Sequence, residues 1–185
     1  MDRDKIIRGV GLILEGVGED PAREGLKDTP ARVADFYLDA LSGVGEKADP
    51  EVKIYRIANN EEMIVVRDIT FYSLCEHHLL PFFGKAHICY IPRENRSTGF
   101  STLARIVEQL SRRPQMQERL TNDIADLLVR AIKPLGALVA IEAEHLCMTM
   151  RGVRKPGAKT VTSAIRGGMR RPATRAEAFA LIRGT

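Results

Sequence analysis

The stretch Cys75-Glu76-His77-His78 places one thiol and two imidazoles in four consecutive residues. Cys75 and His78 are three positions apart, so a single tight turn can aim both at one ion. Sulfur with imidazole nitrogen is a donor pair that suits Zn²⁺. Two ligands are too few to hold zinc, and the third candidate is Cys147, in Glu144-His145-Leu146-Cys147. Three protein ligands leave the fourth tetrahedral position to water, which distinguishes a catalytic zinc from a structural one. Adjacent side chains diverge, so His77 is not expected on the same ion and is free for proton transfer. His145, two residues before Cys147, stands in a similar position. Metal, water and two nearby imidazoles make a hydrolytic arrangement. The plainer alternative is a buried cysteine beside hydrogen-bonded histidines, and His87, in mid-strand without an evident partner, is read as structural.

The elements that must position these residues follow from periodicity. Met63 to Phe71 is β-branched and apolar, which predicts a strand leading into the motif. Pro81 to Gly84 reads as a turn and Lys85 to Ile91 as a returning strand, so the motif lies in the connection of a hairpin. Ala137 to Met150 reads as one long strand. Alternation then puts His145, Cys147 and Arg151 on the same face. At strand rise Arg151 would stand roughly 13 Å beyond Cys147, so metal and cation could bracket a nucleotide-sized anion. Leu103, Ile106, Val107 and Leu110 mark one helix, and Leu120, Ile124, Leu127, Leu128 and Ile132 a second. Lys159 to Ile165 predicts the last strand and Thr174 to Ile182 a short closing helix. Ahead of all this, Ile6 to Val17 is helical, and Thr29 is placed to cap a helix with Pro30 at its first position. The order is ββααββ, an α+β pattern with an antiparallel sheet and helices on one face. Residues 1–60 form an N-terminal helical extension and 61–185 the domain carrying the chemistry.

Composition narrows the class. A hydrophobic fraction of 44% with 28% charged residues predicts a soluble globular protein with a real core. The net charge of +4 suits an anionic small molecule and only weakly a nucleic acid. Three cysteines at uneven spacing make no disulfide framework. The charged start and the absence of a long apolar run predict neither a signal peptide nor a membrane span. A reducing, cytoplasmic compartment is expected, which keeps both candidate thiols available.

Several separated motifs resemble one family. Cys75-Glu76-His77-His78-Leu79-Leu80-Pro81-Phe82-Phe83-Gly84, Gly99-Phe100-Ser101, Arg105-Ile106-Val107, Gln115-Met116-Gln117-Glu118-Arg119-Leu120-Thr121 and Glu144-His145-Leu146-Cys147-Met148-Thr149-Met150-Arg151-Gly152-Val153 are similar to GTP cyclohydrolase I. So are Glu19 to Leu26, Thr29 to Val33 and Lys159 to Ser163, so the resemblance covers nearly the whole chain. It implies the tunnelling fold, whose ββααββ units join edge to edge into a barrel. It also implies a homodecamer of two pentamers with active sites at subunit interfaces. The implied reaction converts GTP and water to 7,8-dihydroneopterin triphosphate and formate, the entry to folate or tetrahydrobiopterin. On that resemblance Cys75, His78 and Cys147 hold zinc, His77 and His145 move protons, and Ser101 assists the sugar rearrangement. Gln117 and Glu118 hold the guanine edge, and Arg105 and Arg151 the triphosphate.

The chain departs from the family at Thr102, where a phosphate-binding lysine is usual. A threonine supplies no charge, and Arg93 or Arg96 in the preceding loop is expected to compensate. One alternative is a related enzyme acting on a guanine nucleotide with fewer phosphates or on a pterin. The other is a zinc-stabilised nucleic-acid-binding module, invited by Arg151, Arg154, Lys155, Lys159, Arg166, Arg170, Arg171 and Arg175. Against that module, no aromatics are interleaved with those charges.

Overall fold

The computed structural model describes residues 1–45, 52–58 and 62–184, so the expected boundary at 60/61 falls outside the described residues. Helices α1 (Arg3–Gly16) and α2 (Thr29–Ala40) form a pair at the start. The Asp2 carboxylate accepts from the Lys5 N–H at 3.0 Å and caps α1, worth about 1 kcal/mol. Arg3 Nε donates to Asp35 Oδ1 at 2.8 Å and ties the two helices together. Thr29, expected as a cap, is instead the first helical residue. Asp28 precedes it and makes no side-chain capping bond.

The rest is built on a sheet. Strand β1 (Ile54–Arg56) pairs with β4 (Arg96–Thr98) in a small ribbon, so the expected loop that carries Arg93 and Arg96 ends in a strand. The main sheet contains β2 (Ile64–Cys75), β3 (Pro81–Ile91), β5 (Pro114–Gln115), β6 (Gly136–His145) and β7 (Lys159–Gly167) in the order β5-β2-β3-β6-β7. Helices α3 (Phe100–Ser111) and α4 (Gln117–Ile132) connect the two hairpins. Phe82, Ala86, Ile88 and Tyr90, alternating along β3, share one core with Leu103, Ile106, Leu120, Ile124 and Leu128 of those helices. Cys89 and Leu138, on the opposite sheet face, pack with Met169 and with Ala178 of the last helix, α6 (Pro172–Arg183). The α+β expectation of helices over an antiparallel sheet therefore holds, with β5 as a short parallel addition, but the helices are not confined to one face, since α6 covers the other. Among the described residues no helix is long and apolar enough to cross a membrane.

Two boundaries differ from the sequence reading, each for a physical reason. Pro81 to Gly84 is not a turn but the start of β3. Proline is tolerated at the first position of a strand, where no donor is needed. Gly84 is there because β6 passes close by: a Cβ would meet the Glu142 carbonyl and lie 2.7 Å from Ala143 Cα. The second difference is that β6 ends at His145, and the chain winds into a single helical turn, α5 (Leu146–Thr149). Both neighbours stop there: β3 pairs with β6 only as far as Phe82↔His145, and β7 only as far as Lys159↔Glu144. A longer strand would leave main-chain groups unpaired, whereas the helical turn bonds Met150 N–H to Leu146 O at 3.0 Å.

Gly84→Ala is expected to destabilise the fold by about 3 kcal/mol, the upper end of overpacking costs, because the obstruction is backbone. A thermal or urea melt with the midpoint unchanged from wild type would contradict this.

Candidate active site

The end of β2 folds into a turn over Glu76 to Leu80. Cys75 N–H donates to Leu80 O at 2.8 Å, Leu79 N–H returns to Cys75 O at 2.8 Å, and Leu79 takes a left-handed φ of 53°. Two attachments pin this turn from the side. Glu76 N–H donates to Gln115 O of β5 at 3.1 Å. The Glu76 carboxylate receives both terminal nitrogens of Arg119, with Nη2 3.1 Å from Oε1. Arg119 holds that carboxyl below the usual glutamate range.

The turn brings Cys75 Sγ to 3.9 Å from His78 Nδ1. With Cys147 the donor atoms of all three residues lie within 4.8 Å of one another. Four-coordinate zinc spaces its ligands by roughly 3.3–3.8 Å, so the trio fits a metal-binding group after small side-chain shifts. Cys147 reaches it from α5, not from a strand, so strand alternation does not carry this ligand. Burial, and next the neighbouring Cys75, push the Cys147 thiol up.

The same helical turn corrects the position of Arg151. The strand that would have set it roughly 13 Å beyond Cys147 ends at His145, so that spacing does not hold. Arg151 Nη1 stands 3.1 Å from His78 Nε2. A guanidinium can only donate, so in this contact Nε2 is the acceptor.

His145, the last residue of β6, is held on two sides. Its ring stacks on Phe82 with centroids 4.6 Å apart and planes 2° from parallel. Its Nε2 is 2.7 Å from Gln117 Oε1. Burial lowers its pKa, which Glu118 partly opposes. Gln117 itself is 2% exposed. Its side-chain amide, expected at a guanine edge, is used inside the chain, while Glu118 beside it is exposed in the first turn of α4. His77 is exposed beside the turn, its ring 6.3 Å from that of His78. His87 accepts at Nδ1 from the Asp68 N–H at 3.2 Å, as fits a structural role.

Ser101 and Arg105 are exposed near the start of α3, and no hydrogen bond among the described residues joins them to the trio. Thr102 between them is buried, and its Oγ1 accepts from Arg105 Nη2 at 3.2 Å. The hydroxyl thus orients an arginine. Arg93 is exposed, and Arg96 has its Nε buried without a partner among the described residues.

The family model for GTP cyclohydrolase I matches residues 6–183. The chain belongs to the GTP cyclohydrolase I family. It is an enzyme of that type. GTP cyclohydrolase 1 of Pelotomaculum thermopropionicum is 60% identical over 99% of this chain and 98% of its own. That of Carboxydothermus hydrogenoformans is 56% identical over 98% of this chain and 95% of its own. A solved structure, archaeosine synthase QueF-Like in the apo form, overlaps 57% of this chain and 94% of its own at TM-score 0.48 and 17% identity.

The sequence reading missed Glu76, Arg119 and Phe82. One signal was present for Arg119: a cation in the first turn of a helix opposes the helix dipole and suggests an acidic partner. Arg119→Ala is expected to loosen the turn and weaken metal retention by about tenfold, the lower end of what supporting residues contribute. Competition with a chelator measures it, and unchanged retention would show that the pair is incidental.

Proposed function

We propose that this enzyme hydrolyses GTP at purine C8 and rearranges the product to 7,8-dihydroneopterin triphosphate, releasing formate. The observation that carries this reading is the convergence of Cys75, His78 and Cys147, with His145, two residues before Cys147, clamped by Gln117 and Phe82. Two thiols and an imidazole within 4.8 Å are a donor set suited to zinc. When bound, zinc supplies a Lewis acid that makes water nucleophilic at neutral pH.

The chain's own groups do the rest. His145 takes and returns protons during ring opening, and His77, exposed beside the turn, serves the departing formate. Ser101 assists at the ribose hydroxyls. Glu118 accepts from the two adjacent donors of the guanine edge. Gln117 contributes there through its main-chain N–H, one of the open donors at the start of α4. Arg105 and Arg151 take the triphosphate. A His78 ring that ligates through Nδ1 carries its proton on Nε2, where it no longer accepts from Arg151, and this frees the guanidinium for phosphate. Thr102 serves the same end by aiming Arg105, and Arg93 and Arg96 add positive charge in place of the usual lysine.

The remaining expectations belong to the same reading: a tunnelling-fold catalytic unit over residues 61–185 after a helical extension, assembled as a decamer with sites between subunits. In the main sheet β7 forms one edge, and β2 pairs with β5 only at Leu74 and Cys75. Open edges of this kind support edge-to-edge assembly. The reaction would open folate or pterin synthesis in the cytoplasm.

Incubating the zinc-loaded protein with GTP, and assaying formate together with the fluorescent oxidised pterin, tests the reaction. Both products are expected, and both are lost after chelation or in Cys147→Ala. Formate that persists after complete metal removal would refute the zinc mechanism. Thr102→Val keeps the shape but removes the hydroxyl, and is expected to raise KM for GTP about fivefold through a loosened Arg105, the value of one hydrogen bond. An unchanged KM would remove Thr102 from phosphate binding.

A further inference from the structure

The side chain of Gln117 sits in a hydrogen-bond network that allows it only one orientation. Its Nε2 faces Ile141 O at 3.1 Å, Thr160 O at 3.0 Å and Thr162 Oγ1 at 3.0 Å. The first two are carbonyls and can only accept. Thr121 gives its single hydroxyl proton to Gln117 O at 2.7 Å. The 2.7 Å bond between Thr121 and Thr162 must therefore be donated by Thr162, whose oxygen is left to accept from Gln117. A flipped amide would set Oε1 against two carbonyl oxygens in a buried site, an acceptor facing acceptors. The amide nitrogen is thus fixed toward the strands and Oε1 toward His145.

An amide oxygen has no proton to give. The 2.7 Å contact at Oε1 must be donated by His145 Nε2. In the neutral ring that leaves Nδ1 as the acceptor, and in the charged ring Nε2–H stays bonded as before. The Phe82 face, stacked at 4.6 Å, keeps the ring from rotating out of this bond. We infer that Gln117 is a positioning residue that fixes the tautomer of His145, with the proton on Nε2 and Nδ1 left as the acceptor. The inference rests on the reading of His145 as a proton carrier. It assigns the Gln117 side chain to the histidine rather than to the substrate.

Solid-state NMR of zinc-loaded protein carrying ring-¹⁵N histidine shows which nitrogen is protonated, with the His145 signal identified by its loss in His145→Gln. Wild type is expected to show Nε2–H. An Nδ1–H ring in wild type would overturn the proposal without any variant and without touching the role of His145. Gln117→Met is expected to mix the two tautomers and lower kcat for GTP about tenfold, part of the ~10²–10⁴ that a general base contributes. KM should stay within about twofold, since no substrate contact is removed. A raised KM with kcat unchanged would instead place the side chain on the substrate and end the proposal. Undiminished turnover in His145→Gln would remove the proton carrier and the proposal with it.

Discussion

The site depends on the register of β3 against β6. Phe82 and His145 are the last pair of that ladder. A slip of one residue would turn His145 to the opposite face, away from α4, because side chains alternate. The same ladder sets where β6 ends, hence where α5 begins, and hence where Cys147 arrives beside Cys75. Gly84 fixes the spacing of the two strands near that end, where no side chain fits. The candidate metal group is therefore a property of a strand pairing as much as of its three donor residues.

The supports divide by environment. Inside, the groups are neutral: Gln117, Thr121 and Thr162 satisfy one another and the ends of β6 and β7. Outside, the support is ionic, with Arg119 against Glu76. The division follows from desolvation, since a buried amide costs far less than a buried carboxylate. It also matters for the histidine. A carboxylate in the place of Gln117 would stabilise the imidazolium and raise the pKa that burial lowers. An amide orients the ring without adding charge.

Much of this was legible in the sequence, because local chemistry carries it. The three donors, the hairpin around the motif, the two helices and the α+β order follow from residue types and periodicity. What was not legible depends on neighbours distant in the chain. The end of β6 at His145 is set by where β3 and β7 stop pairing, and alternation within one strand has no access to that. Arg151 was misplaced for the same reason. Glu76 and Arg119 are 43 positions apart, and only the fold makes them partners. Thr102 looked like a missing charge, yet its hydroxyl turns inward to Arg105.

Burial and the neighbouring thiol push the Cys147 thiol up. Ligation requires the thiolate, so the thiol proton must leave when an ion enters. Filling the trio is then an acid-releasing event. An ion at this group would therefore be held more tightly as pH rises.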